Sequence, residues 1–552
     1  MCNIVAENEV RSVYKILIQV VTCIILILLF ILPSINSSVL SNSTISAKTF
    51  FFAYILLILL FISSCCIFIK NRFSFKLSRI DIALMMLIGY FLVNRYYLQI
   101  KHSFSIRFID LLGLCLLYLI LRNLRTKNFL WFLIAIVVSG AVQSIYGVHQ
   151  LLEFFPSNHS GFKTTGSYFN PGPYAGFISA IWPIALGTYL FKKELTAYLN
   201  LSLPPKTQKI NKVIYNLFSY TSVLSMITIV LVLPICESRA AWLSFLISSA
   251  FLFEFRYRLT KRLLNQLSSI KRNILYVTIL ILLSIGIYEM YHLKKGSSDG
   301  RLFIWKITTD IFKDNSINGV GFDRFKAYYM NYQGEYFRNI GETEEAFIAD
   351  NTYYAFNELL QFITEQGLIG LLLLFFVIVF LFNIKVNKEQ SAILQLVLTG
   401  LIAIVIFAFF SYPTQILSLK LIMTVLLALL VQLDKRKWEY LKDRKKTLFR
   451  AQLIALPLII IAFVIGLGFI TVRRQAFIDW KLANNAYQYG DLTTSISEYE
   501  KAYPVLEKEG DFLMNYGKAL TMAINIFKKR IKVPSSAINE MKTEIKVLLK
   551  KT

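Results

Sequence analysis

Long apolar runs, separated by short charged stretches, recur along most of this chain. A helix needs about 20 mostly apolar residues to cross the hydrocarbon core of a bilayer. Thirteen segments approach that length: 15–33, 49–69, 80–97, 106–121, 129–150, 169–191, 214–235, 238–255, 274–291, 358–382, 392–411, 415–433 and 451–472. The pattern predicts an all-α, polytopic membrane protein with about 12–13 transmembrane helices.

Basic residues are concentrated in alternate loops between these segments. The clusters are Lys70, Arg72, Lys76 and Arg79; Arg122, Arg125 and Lys127; Lys192, Lys193, Lys206, Lys209 and Lys212; Arg256, Arg258, Lys261, Arg262, Lys271 and Arg272; Lys385 and Lys388; and 435–450. Because short cytoplasmic loops are rich in Lys and Arg, we predict a cytoplasmic N-terminus. An odd number of spans then places the C-terminus on the opposite side.

Composition supports this class and excludes others. Hydrophobic residues make up 56% of the chain, and its mean hydropathy is +0.56. The net charge of +26 follows the alternate loops, which does not indicate nucleic-acid binding. The six cysteines and four histidines form no CxxC pair or His-rich cluster, so neither a disulfide framework nor a metal site is predicted.

A long polar stretch, at about 292–357, separates the ninth apolar segment from the tenth. Trp305, Ile311 and Phe312 are interspersed with charged residues in it. Loops of this length are uncommon without structure of their own. We therefore expect a large extracytoplasmic loop with two or three short helices lying across the outer face of the membrane.

The last 80 or so residues have the composition of a soluble protein, and we divide the chain into a membrane domain, 1–472, and a tail, 473–552. Trp480, Ala483, Gly490, Tyr499 and Ala502 follow the spacing of a tetratricopeptide helix-turn-helix. The match covers little more than one repeat, and a plain amphipathic helical hairpin is the alternative.

Three regions on the outer side depart from plain apolar helix. The stretch 166–176 contains prolines and glycines that free backbone polar groups, so it either lines a cavity or forms a turn before a helix. Arg239 lies between two apolar segments on the side where basic residues are unexpected, and its planar donor fork suits a phosphate or diphosphate. Arg301, in the long loop, is a second candidate anion ligand.

These regions, in this order, resemble the bacterial O-antigen ligase and polymerase superfamily over roughly residues 130–412. That superfamily includes lipopolysaccharide O-antigen ligases, O-antigen polymerases and protein O-oligosaccharyltransferases. The resemblance is carried by Gly166-Ser167-Tyr168-Phe169-Asn170-Pro171, Ser238-Arg239, Arg301 to Trp305, Gly319-Val320-Gly321, Ala355-Phe356-Asn357-Glu358-Leu359-Leu360-Gln361, and then Glu365, Gly367 and Gly370.

The resemblance implies a glycosyltransferase of the bacterial inner membrane that works without a metal or cofactor. It would transfer a glycan from a polyprenyl diphosphate carrier, such as undecaprenyl diphosphate, to an acceptor hydroxyl at the periplasmic face, as in lipopolysaccharide biosynthesis. The acceptor is open: lipid A-core, a growing glycan or a protein. Arg239 and Arg301 would bind the diphosphate and stabilise its charge as it departs. Asn170, Tyr174, Trp305 and Asn357 would bind substrate.

One position departs from the family pattern. Ligases of this superfamily usually carry a His before the Asn of the Asn357 motif, as the proposed base, and here that position is Phe356. Glu358 and Asp350 are the nearest carboxylates in sequence, and either could accept a hydroxyl proton. For Glu358, the alternative role is that of a carboxylate stabilised by a helix N-terminus.

Two other classes of function compete with the enzyme. A transporter or flippase of lipid-linked glycan would show inverted repeats and charges within its spans, and we find no such repeat and few such charges. A membrane scaffold that displays the tail would leave Arg239 and Asn170-Pro171 unexplained.

Overall fold

The computed structural model describes residues 2–69, 75–98, 105–200, 208–341, 343–440, 445–530 and 543. Lys70, Arg72, Lys206, residues 441–444 of the last basic cluster and most of 531–552 lie outside these ranges. The helices are α1 Cys2–Ile31, α2 Ser43–Ile69, α3 Arg79–Val93, α4 Ile106–Arg122, α5 Thr126–Leu151, α6 Pro171–Leu190, α7 Lys192–Asn200, α8 Gln208–Val232, α9 Arg239–Tyr257, α10 Leu259–Gln266, α11 Ser269–His292, α12 Lys295–Asp314, α13 Phe325–Ile340, α14 Glu358–Phe382, α15 Ser391–Ala408, α16 Leu417–Leu433, α17 Lys445–Gln488, α18 Leu492–Leu506 and α19 Gly510–Arg530. Two short strands, β1 Phe75–Leu77 and β2 Trp438–Tyr440, pair antiparallel.

Each of the thirteen predicted apolar segments lies on a helix. Among the described residues, however, only nine helices are long and apolar enough to cross a membrane, or ten if α6 and α7, bent by 75°, form one span. By length and composition, the described residues therefore support fewer spans than the predicted 12–13. Helices α4 and α16 have 17 residues each, about 26 Å at 1.5 Å per residue, which is short of a bilayer core. Helix α9 carries three charged residues, Arg239, Glu254 and Arg256, and is not among the candidate spans.

Helix α6 lies at the centre of the helical bundle. It is apolar on all sides, and its residues are buried almost continuously from Pro171 to Thr188. It packs against α5, α8, α9 and α15. At Gly176 an added Cβ would lie 2.5 Å from the Phe407 ring of α15, so only glycine permits this approach. A helix that is hydrophobic on every side belongs inside a bundle.

Buried ion pairs join the helices around this core. Lys420 of α16 lies 2.6 Å from the carboxylate of Asp110 in α4, and the Thr49 hydroxyl donates to the same carboxylate at 2.9 Å. Arg122 at the end of α4 forms a two-pronged contact with Asp81 of α3 at 2.9 Å. Losing one partner of such a pair leaves an uncompensated buried charge, so these contacts specify which helices are neighbours.

The long polar stretch has its own core. It contains α12, α13 and a short 3-10 turn at Glu344–Phe347, which agrees with the predicted two or three helices. Its apolar side chains pack together as one cluster, formed by Phe303, Ile307, Ile311, Val320, Phe325, Tyr329 and Ala355. The side of the membrane on which it lies stays a prediction.

Helix α14 is broken at Gly367, and the break holds the segment 316–321. The N–H groups of Val320 and Gly321 donate to the carbonyls of Thr364 and Glu365, both at 2.9 Å. In return, the carbonyls of Ser316 and Ile317 accept from the N–H groups of residues 368 and 369, at 2.8 and 3.3 Å. The motif glycines therefore meet at one backbone crossing, which satisfies the polar groups that the break exposes.

The tail continues directly from the last apolar segment, because α17 runs for 44 residues through the predicted boundary at 472. Gly490, with φ of +79°, turns the chain into α18. The predicted hairpin residues form the contact between the two helices: Trp480, Ala483, Tyr499 and Ala502 are all buried. The helical hairpin is thus present, while its assignment as a tetratricopeptide repeat stays a prediction.

Candidate functional site

Arg239 begins α9 after a tight turn. Glu237 has a left-handed φ of +49°, which reverses the chain at the end of α8 and points residues 237–239 toward α12. The Arg239 Nη1 donates to the Ser298 Oγ at 2.7 Å, and Lys294 pairs with the Glu237 carboxylate at 2.5 Å. The start of α9 and the start of α12 are therefore joined by polar contacts.

Arg301 lies three residues after Ser298 on α12, which places the two arginines at the same junction. Its Nη1 donates to the carbonyl of Phe410 at 3.0 Å, and its guanidinium lies 5.2 Å from the centre of the Phe356 ring. Burial, and then the positive charge of Arg239, lower the pKa of Arg301 to about 10, against the opposite effect of Tyr412. Within the described residues no carboxylate forms an ion pair with Arg301.

The Phe356 ring beside Arg301 belongs to a group of three packed aromatic rings. The Tyr354 ring stacks on Tyr412 at 4.2 Å and 19°, and Phe356 meets Tyr412 edge-on at 5.3 Å. Phe356 has a left-handed φ of +52°, which is uncommon for an aromatic residue and marks a position held by its surroundings. Phe356, at the position where the superfamily that the motifs resemble usually carries His, thus presents a ring to Arg301. It offers a cation–π contact instead of a titratable group.

The first turn of α6 meets the same aromatic group. A Cβ added at Gly172 would lie 3.5 Å from the Tyr412 hydroxyl oxygen. Asn170 caps α6, because its Oδ1 accepts from the Gly172 N–H at 3.0 Å with Pro171 at the first helical position. The structure therefore brings together all three regions that stood out in the sequence.

The four residues predicted to bind substrate all make structural contacts. Asn357 caps α14 as Asn170 caps α6, accepting from the Leu360 N–H at 3.0 Å. Trp305 donates its Nε1–H to the Ala355 carbonyl at 2.8 Å, and Tyr174 donates its hydroxyl to the Gln143 carbonyl at 2.8 Å. Tyr174 is 0% exposed, so a substrate could reach it only if the core opened. Binding of substrate by these four residues stays a prediction.

The two candidate bases lie in different surroundings. Glu358 is 9% exposed, and its two oxygens accept from the N–H and the hydroxyl of Thr414, at 3.1 and 2.6 Å. Arg107 in turn donates to the Thr414 hydroxyl oxygen at 3.1 Å. Asp350 is exposed and accepts from the N–H of the next residue at 2.7 Å. Only Glu358 is therefore part of a buried polar network.

Arg107 is the centre of that network, and it is not among the site residues predicted from the sequence. Its Nη1 lies 3.1 Å from a Glu365 oxygen and 3.5 Å from an Asp323 oxygen. Gln361, one turn before Glu365, donates to the same carboxylate at 3.1 Å. Signals were present: Arg107 is a charge at the start of an apolar segment, and Thr414 follows a Pro between two apolar segments.

Part of this region is similar to a known family. Residues 224–375 match the family model described as O-antigen ligase. The matched stretch contains Arg239, Arg301, Phe356, Glu358 and Glu365, and it ends within α14. No curated protein matches the chain significantly. Residues 224–375 are thus similar to the O-antigen ligase family, which agrees with the resemblance that the motifs indicated.

Proposed function

We propose that this protein transfers a glycan from a polyprenyl diphosphate carrier to an acceptor hydroxyl. One observation carries the proposal: Arg239 and Arg301 come together at the junction of α9 and α12, inside the stretch that matches the O-antigen ligase model. Two guanidinium groups at one junction concentrate positive charge, which favours the binding of an anion. A diphosphate carries several negative charges and suits the paired donors of guanidinium groups.

The arginines would act on the leaving group. The acceptor oxygen forms a bond to the anomeric carbon of the glycan, while the bond from that carbon to the diphosphate oxygen breaks. The electron pair leaves with the polyprenyl diphosphate, and direct displacement inverts the anomeric configuration. Arginines held in place by Ser298 and Phe410 stabilise the charge that develops, without reorganising during the reaction.

Glu358 is our proposed acceptor for the hydroxyl proton. It follows Phe356 and Asn357 directly, and an ionised carboxylate has about four acceptor sites, of which Thr414 occupies two. Its position is set by the cap at Asn357 and by the Thr414 loop. Asp350 is the alternative base, in solvent and without a hydrogen-bond partner outside its own turn among the described residues.

The proposal also includes the location of the reaction and the identity of the acceptor. The reaction takes place at the periplasmic face of the bacterial inner membrane, with the N-terminus in the cytoplasm and the C-terminus in the periplasm. The acceptor is lipid A-core if the protein is an O-antigen ligase, and a growing glycan or a protein in the alternatives. A comparison of surface glycans between a deletion strain and its parent separates these alternatives. Loss of long lipopolysaccharide alone would indicate lipid A-core as the acceptor, a shift to single repeat units would indicate a growing glycan, and loss of protein glycosylation would indicate a protein.

The arginine assignment is tested by variants of the full-length protein in membranes. Arg239→Ala and Arg301→Ala should abolish transfer from lipid-linked glycan at unchanged protein abundance, and the Lys variants should restore little, since an ammonium lacks the bidentate fork. Arg338→Ala, an exposed arginine on α13, is the matched control and should retain parental transfer. Parental transfer by either Arg→Ala variant would refute the diphosphate site. The same assay distinguishes the enzyme from a flippase, because a flippase would move the lipid-linked glycan without forming a new glycosidic bond.

The base is tested separately. A general base contributes about 10²–10⁴-fold to the rate, so Glu358→Gln should slow transfer by that factor while Asp350→Asn leaves it unchanged. The reverse result would move the base to Asp350. If both amide variants transfer at the parental rate, no carboxylate base operates and leaving-group stabilisation carries the reaction.

A further inference from the structure

The turn between α18 and α19 in the tail contacts the long polar stretch at two points. The Tyr353 hydroxyl donates to an Asp511 oxygen at 2.8 Å, and the Lys326 Nζ lies 3.5 Å from a Glu509 oxygen. Glu509 is only 8% exposed, so the contact is partly desolvated. Helices α18 and α19, which we call the C-terminal hairpin, are thereby attached beside the candidate site.

The segment that receives this contact, residues 353–357, forms one wall of the site. It has no helical or strand structure, so side-chain contacts determine its position. Tyr354 stacks on Tyr412, and the Ala355 carbonyl accepts from Trp305 while its N–H donates to the Gln361 side chain at 3.1 Å. Phe356 then lies beneath Arg301. A shift at Tyr353 would therefore displace the ring beneath Arg301.

The charges at this contact are unbalanced. Burial alone would lower the pKa of Lys326, but the carboxylates of Glu509, Asp323 and Asp511 around it outweigh burial and raise that pKa. Asp323 also faces Arg107 at 3.5 Å and accepts from the Ser105 hydroxyl at 2.5 Å. Without Lys326, three carboxylates would face one another in a partly desolvated site, and the tail turn would separate from the loop.

We infer that the C-terminal hairpin is a positioning element of the transfer site, which holds the segment 353–357 through Lys326, Tyr353, Glu509 and Asp511. This inference rests on the proposed function. None of the four residues needs to touch substrate, because they act through Tyr354 and Phe356. The tail is then part of the machinery of transfer, whichever acceptor the protein uses.

The test uses the full-length protein and two readouts. Lys326→Met should increase hydrogen exchange in residues 351–357 and 507–511 and lower kcat for transfer by roughly 10- to 100-fold, because small displacements of reacting groups cost rate. KM for the lipid-linked glycan should change little. Tyr353→Phe, which removes only the hydroxyl contact, should act in the same direction with a smaller effect.

A second-site variant separates positioning from simple loss of folding. Adding Glu509→Gln to Lys326→Met removes one of the carboxylates left without their cation, so exchange and kcat should return toward parental values. Lys501→Met, in the tail but paired with Glu498 within α18, is the control and should change neither readout.

Three results would overturn the inference: unchanged exchange in Lys326→Met, increased exchange with parental kcat, or no recovery in the double variant. If the parent itself transfers no glycan, the proposed function fails, and the positioning role fails with it even where exchange shows the hairpin attached.

Discussion

The backbone crossing at Gly367 offers the sharpest test of the architecture that supports the site. Gly367 has φ of +64° and ψ of −168°, a region that essentially only glycine adopts. In Gly367→Ala the new Cβ would lie 2.1 Å from the carbonyl oxygen of Ile317, where no atom can be accommodated. The segment 316–321 must therefore move away from α14.

The hydrogen bonds across the crossing set the size of the destabilisation. Four backbone hydrogen bonds join the two segments at 2.8–3.3 Å. At about 1 kcal/mol net each they sum to about 4 kcal/mol, and the backbone strain adds about 1–3 kcal/mol. The displacement would also move the Glu365 carbonyl that Gly321 holds, and with it the carboxylate that pairs with Arg107. We expect Gly367→Ala to reduce both stability and transfer.

The measurement is thermal unfolding of the detergent-solubilised protein, in which the fraction that remains folded is determined after heating to each temperature. Gly468→Ala is the matched control, because a Cβ there meets no atom within 4 Å and alanine suits a helix interior. It should match the parent or be slightly more stable. If Gly367→Ala unfolds at the same temperature as Gly468→Ala, the two backbones do not approach as described, and the reasoning is refuted.

Three further predictions concern the site, the tail and the topology. Thr414→Val removes the 2.6 Å hydrogen bond to Glu358 and should lower the rate of transfer by about tenfold, because a hydrogen bond to a charged group contributes roughly 1.5 kcal/mol. The control variant Thr399→Val, on α15, should transfer at the parental rate. Equal rates in the parent and in Thr414→Val would count against Glu358 as the base. Burial raises the pKa of Glu509 from 4.5 to about 7; Lys326 opposes this shift, and Asp511 and Asp323 add to it. The attached tail then binds this proton more tightly than a detached tail, so attachment weakens as the pH rises from 4.5 through about 7. Hydrogen exchange of 507–511, corrected for intrinsic rates, should show this pH dependence, and Glu509→Gln should abolish it; a pH-independent parent would contradict the shift. Reporter fusions at Lys446 and Lys529 should report opposite sides of the membrane, and the same side for both would exclude the predicted topology.

The helices were predictable because their signal is local. An apolar run long enough to span a bilayer has to satisfy its own backbone polar groups, and a helix does this within the run. For that reason all thirteen predicted segments lie on helices. The number of spans was less predictable, because α6 and α7 bend by 75° and because α4 and α16 are short.

The candidate site was predictable only in part. Arg239 stood out as a charge on the side where basic residues are unexpected, and Arg301 as a second candidate anion ligand in the long loop. Arg107 and Thr414 did not, because their roles depend on Glu365 and Glu358, and the contact from Arg107 to Glu365 joins residues 258 positions apart. Asn170 and Asn357 were noticed for their motifs, and the structure adds that both cap helices.

By itself, the sequence determined that this is a helical membrane protein with a stretch similar to the O-antigen ligase family, since hydrophobic runs and motif order can be read along the chain. Tertiary packing decided which distant residues meet. Arg301 reaches the Phe410 carbonyl across 109 positions, and Tyr353 reaches Asp511 in the tail across 158. Such contacts depend on how the helices pack, and hydrophobic patterning specifies only which face of a helix is buried, not the partner it is buried against.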